Sequence, residues 1–148
     1  MNEIYKDKWE QSYSRNENHI VYPKEQCVKF LSRFIGKKVN DKLVVYKNEE
    51  YRGAEALDFG CGIGTQTKLL ADFGLVSYGV DISENALDKA KELYPELNGR
   101  LSLIKGDGLL PFNDNQFAIS MATDARISLS VNLPDCRRGC ISKAKMEP

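Results

Sequence analysis

A short apolar run, Ala54-Glu55-Ala56-Leu57-Asp58-Phe59, leads straight into Gly60-Cys61-Gly62-Ile63-Gly64, and this junction constrains the fold more than any other stretch of the chain. The run reads as a short, largely buried strand. Glycines at alternate positions allow backbone angles closed to other residues, and with no side chain they let another molecule approach the main chain. From Thr65 to Phe73, inward-facing Leu69, Leu70 and Phe73 suggest a helix, and Gly74 stands where it ends. Strand, glycine turn and helix in succession form the opening unit of a parallel sheet.

The pattern then repeats. Val76 to Val80 reads as a second strand closed by Asp81. Ser83 is a helix N-cap with Glu84 in the favourable first turn, and Ala86, Leu87, Ala90, Leu93 and Tyr94 form the inner face of the helix. Pro95 and Gly99 mark its exit. Leu101 to Lys105 is a third strand, followed by Gly106-Asp107-Gly108, and Phe117 to Met121 is a fourth. This alternation predicts an α/β fold with a Rossmann-like, doubly wound and mainly parallel sheet. Right-handed crossovers order its strands 3-2-1-4. The ligand crevice falls where that order reverses, at the carboxyl ends of strands one and four.

Before the sheet, Pro23 suits the first position of a helix carrying Cys27, Val28, Leu31, Phe34 and Ile35 on one face, with Gly36 as its stop. Leu43 to Tyr46 fits a short strand or part of a helix. After the sheet, Ile127-Ser128-Leu129-Ser130-Val131-Asn132-Leu133 alternates apolar and polar residues, as a half-buried strand does. Only five residues separate it from Met121, too few for a parallel crossover, so an antiparallel edge strand at 127–133 is expected; a non-native tail is the alternative. The organisation is one structural domain: an N-terminal helical cap over 1–52, a core over 53–121 and a short atypical tail over 122–148.

Composition narrows the function. Lys plus Arg and Asp plus Glu total 21 each, so no global charge draws the chain to nucleic acid or an anionic membrane. The charged N-terminus lacks the apolar core of a signal peptide, and no apolar run is long enough to span a bilayer. A cytosolic location with reduced thiols is expected. Cys136 and Cys140 form a lone C-x3-C, His19 is the sole histidine, and no metal site is expected.

The glycine turn gains specificity from acids at fixed places. Asp81 ends the second strand, where a carboxylate can accept both hydroxyls of a ribose; a helix-flanking acid is the plainer reading. Ile82 could contact an adenine face or pack beneath the helix. Asp107 follows the third strand, where it could meet an exocyclic amine or simply form a turn. In combination, Ala56 to Gly64 resembles the first motif of class I S-adenosylmethionine-dependent methyltransferases. Gly79-Val80-Asp81-Ile82-Ser83 resembles their second, Gly106 to Phe112 their third, and Phe117-Ala118-Ile119-Ser120 the start of their fourth strand. The resemblance implies S-adenosylmethionine as cofactor and a small or medium-sized methyl acceptor. Asp58, Gly60, Cys61, Gly62 and Gly64 would hold the methionine moiety, and Asp81 the ribose. Ile82 would flank the adenine, Asp107 and Gly108 would meet its amine, and Tyr22 would belong to a covering lid. A dinucleotide (NAD or FAD) site is the rival, but its G-x-G-x-x-G/A fingerprint would place Thr65 where close packing wants Gly or Ala.

The pattern departs from the family after Phe117-Ala118, where an acid is usual and is missing here. A further helix and about three strands that supply the acceptor pocket should follow, and 27 residues remain. A shortened or frame-altered C-terminus is the expectation this raises, with a non-catalytic cofactor-binding or interaction module as the second functional reading. An exposed edge on the fourth strand would also invite a homodimer.

Overall fold

The computed structural model describes residues 3–42, 44–105, 109–122 and 140–142. The α-helices among the described residues are α1 (Glu3–Ser14), α2 (Glu25–Phe34), α3 (Thr65–Asp72) and α4 (Glu84–Leu93). The strands among the described residues are β1 (Gly36–Lys38), β2 (Val44–Tyr46), β3 (Glu55–Phe59), β4 (Val76–Asp81), β5 (Leu101–Leu103), β6 (Ile119–Ala122) and β7 (Cys140–Ser142). The main sheet runs β5-β4-β3-β6-β7, and every neighbouring pair in it is parallel. The expected 3-2-1-4 order is therefore present as β5-β4-β3-β6.

Period-two alternation along β3 divides the core. Ala56 packs with Cys27, Leu31 and Ile35 from the α2 segment and Leu69 and Leu70 of α3. Leu57 and Phe59 point to the other face, with Val80, Ile82, Ile104 and Phe117. Tyr78, Phe112 and Phe117 close that second face with edge-to-face ring contacts at 4.9–5.7 Å between centroids.

Three expectations need correction. The helix after Pro23 begins at Glu25, with Lys24 as its N-cap, so Pro23 precedes it by two residues. Gly36 does not follow the helix as a bare stop but opens β1, which pairs antiparallel with β2. A Cβ at Gly36 would lie 2.7 Å from the Val45 carbonyl oxygen, so close strand approach accounts for this glycine. The third correction concerns the far edge. Residues 127–133 lie outside the described residues, and the strand beside β6 is β7, running parallel. The chain from Ala122 to Cys140 supplies the dozen or more residues a parallel crossover needs, which the shorter link assumed from sequence did not. The edge of β6 is thus paired rather than open.

Candidate functional site

The turn between β3 and α3 is built on positive backbone angles at Gly60 (φ 71°), Gly62 (54°) and Gly64 (83°). Its amides are largely satisfied from within. Gly60 N–H and Cys61 N–H both donate to the Val80 carbonyl, at 2.9 and 3.0 Å, and Gly64 N–H donates to the Cys61 carbonyl at 2.9 Å. The turn therefore offers a rigid, bare backbone surface more than a row of outward donors. Gly64 also permits close helix approach, since a Cβ there would meet Ala90 Cβ at 3.2 Å. The tight-packing position that a dinucleotide fingerprint assigns to residue 65 is thus met at residue 64. Thr65 instead donates its hydroxyl to the Ile20 carbonyl at 2.7 Å.

Asp81 brings the second motif to the first. Its Oδ2 accepts from Gly62 N–H at 2.8 Å, and Oδ1 accepts from Ser83 N–H at 2.9 Å. A carboxylate has about four acceptor positions, so these amides, with that of Ile82 beside them, leave room for a further donor. Burial pushes the Asp81 carboxyl above its ordinary value, opposed by the amides of Ser83, Gly62 and Ile82, and the Glu10 carboxylate pushes it up further. Ser83 caps α4 as expected, accepting from Ala86 N–H at 3.1 Å.

Asp58 is buried and faces α3, where Thr67 donates its hydroxyl to Asp58 Oδ2 at 2.8 Å. Cys61 is buried between two acids. Desolvation above all, then Asp58 and Asp81, hold its thiol well above its ordinary value, so it stays protonated and is a poor nucleophile. Ile82 is buried in the second core cluster. Asp107 and Gly108 lie outside the described residues. Tyr22 is 80% exposed, in a segment held to the start of α3 on either side by the Ile20 carbonyl and the Lys24 amide.

The residue that does cover the turn is Tyr13. A Cβ at Gly62 would lie 2.5 Å from the Tyr13 hydroxyl oxygen. Tyr13 stacks on Trp9 with centroids 6.1 Å apart, and Trp9 packs against the second core cluster. Sequence reasoning missed this pair, although aromatic residues at i and i+4 share a helix face. Glu10, between them, accepts from Glu84 N–H at 2.6 Å and Asn85 N–H at 3.3 Å, at the start of α4.

A parallel sheet of this order, with a glycine turn and an acid meeting at its switch point, defines a nucleotide-cofactor fold. The sequence profile of the methyltransferase domain family matches residues 57–130, half of the chain. The chain belongs to that family, the class I S-adenosylmethionine-dependent methyltransferases. It is 39% identical over 80 residues to a magnesium-protoporphyrin O-methyltransferase of Rhodobacter capsulatus, covering 53% of this chain and 35% of that protein. It is 39% identical over 71 residues to a demethylmenaquinone methyltransferase of Staphylococcus aureus, covering 45% and 29%. The matched region thus spans about a third of the length of these relatives. A Methanococcus maripaludis protein described as an S-adenosyl-L-methionine-dependent methyltransferase shares the fold, with TM-score 0.53 and 17% identity, covering 81% of this chain and 50% of that one.

Proposed function

We propose that this chain binds S-adenosylmethionine in the β3–α3 crevice and transfers its methyl group to a small-molecule acceptor. The observation that carries the reading is the bond between Gly62 N–H and Asp81, which joins the glycine turn and the acid of the next strand at one point. The residues fit the cofactor. The turn at Gly60, Cys61, Gly62 and Gly64 gives the methionine moiety a surface free of side chains, and Asp58, tied to Thr67, braces it from below. Asp81 keeps acceptor positions for ribose hydroxyls. Ile82 flanks the adenine, and Asp107 and Gly108 meet its amine. Tyr13, against Gly62, covers the turn, and Tyr22 belongs to the same covering segment. Residues 1–52 serve as the cap, 53–121 as the cofactor core and 122–148 as the tail.

The bound cofactor supplies an electrophilic methyl group on a sulfonium. The chain's own part is to hold the nucleotide in one orientation and exclude water from it, which is where catalysis of a direct displacement gains most. The named relatives are methyltransferases of small molecules, which supports an acceptor of that size. Among the described residues no helix is long and apolar enough to cross a membrane, and the buried Cys27 and Cys61 fit the reducing cytosol.

Methyl transfer from isotopically labelled S-adenosylmethionine to a panel of small acceptors tests the reading. Labelled product supports the enzyme. Cofactor binding without transfer to any acceptor favours the cofactor-binding module instead.

A further inference from the structure

The geometry points to Glu10 as a positioning residue, a latch that holds α1 closed over the crevice and sets how long a bound nucleotide stays. The inference rests on the cofactor reading above for its ligand, but the latch itself is a property of the chain alone.

Helix α1 has no buried residue, so apolar packing holds it only lightly. Besides Trp9 against the second core cluster, its attachment is polar and falls on the elements that frame the crevice. The Glu10 carboxylate spans the two N-terminal amides of α4, those of Glu84 and Asn85. Ser83 caps the next amide, Ala86, so the first turn of α4 is fully satisfied only when Glu10 is in place. A carboxylate at a helix N-terminus is further favoured by the helix dipole. One turn along α1, Tyr13 lies against Gly62. Beyond α1, the Ile20 carbonyl accepts from Thr65, and Lys24 N–H donates to Gln66 Oε1 at 3.2 Å, both at the start of α3. The N-terminal segment is therefore pinned at the starts of both helices beside the glycine turn, and Glu10 makes the polar pin between α1 and α4. Two solvent-exposed hydrogen bonds hold firmly enough to close the helix and weakly enough to release it.

Trp9 is the chain's sole tryptophan and stands next to Glu10, so its fluorescence reports the position of the latch directly. The experiment compares the full chain with Glu10→Ala and Glu10→Gln. It measures acrylamide quenching of Trp9 without ligand and release of S-adenosylhomocysteine by stopped flow. Glu10→Ala is expected to raise Trp9 quenching about twofold and to speed release about tenfold, the range set by loss of one charge-assisted interaction. Glu10→Gln keeps one acceptor oxygen and should fall between. Unchanged quenching in Glu10→Ala overturns the latch, as does a large fall in Tm with Trp9 as protected as before. A chain that binds no S-adenosylhomocysteine refutes the cofactor reading, and the quenching comparison still decides the latch.

Discussion

Helices α1 and α3 both border the glycine turn, yet they are held in opposite ways. Helix α3 buries Thr65, Gln66, Thr67, Leu69 and Leu70, is flanked by Gly64 and Gly74, and follows its strand through the glycine turn alone. Helix α1 buries nothing completely and reaches its place through Glu10, Trp9 and Tyr13, whose partners lie far along the chain. The floor of the crevice is therefore fixed by packing and backbone geometry. Its cover is fixed by a few contacts that can be made and broken.

That contrast predicts unequal responses to substitution. Leu57→Ala, at a fully buried position of β3, should cost about 2–5 kcal/mol and lower Tm by roughly 10 °C in a thermal melt. Tyr5→Ala, on exposed α1, should change stability by no more than about 0.5 kcal/mol. Equal shifts in Tm would erase the distinction. Gly64→Ala should cost about 1–2 kcal/mol, because residue 64 is left-handed and its new methyl would press on Ala90. A variant as stable as the parent would mean that the turn is not the rigid floor described.

Asp81 joins floor and ligand, and its pH response has a definite sign. Its carboxyl is raised by burial, so it takes up a proton at a higher pH than an ordinary aspartate. The ionised form is the one that accepts ribose hydroxyls. Affinity for S-adenosylhomocysteine should therefore fall on acidification from above the usual aspartate range. The same shift means that the folded state binds this proton more readily than the unfolded chain. The stability penalty of ionised Asp81 is absent below the ordinary aspartate value and complete above the folded one. Titrations across pH in Asp81→Asn should lack this dependence. The smallest effect concerns Cys61, whose buried thiol should resist iodoacetamide in the folded chain and react on unfolding.

The floor was legible in the sequence because its determinants are local. Positive φ at Gly60, Gly62 and Gly64, the Ser83 cap and the apolar face of α4 each follow from neighbouring residues. Sheet order followed from the alternation of elements. The cover was not legible in the same way. Tyr22, beside Pro23, is exposed, while Tyr13, which carried no role in the sequence, lies against Gly62 because α1 folds back across α4. A contact between residues 10 and 84 leaves no mark in the spacing of either. At the far edge the alternation at 127–133 lies outside the described residues, and the neighbour of β6 comes from Cys140–Ser142 by a longer connection.

The most direct test of the cofactor site is calorimetric titration of the folded chain with S-adenosylhomocysteine, beside NAD and beside Asp81→Ala. Saturable binding of S-adenosylhomocysteine is predicted, with none to NAD and at least a tenfold loss in Asp81→Ala, since charge-assisted bonds to two hydroxyls are removed. A folded chain that fails to bind S-adenosylhomocysteine, or that binds it equally well without the Asp81 carboxylate, would contradict the account.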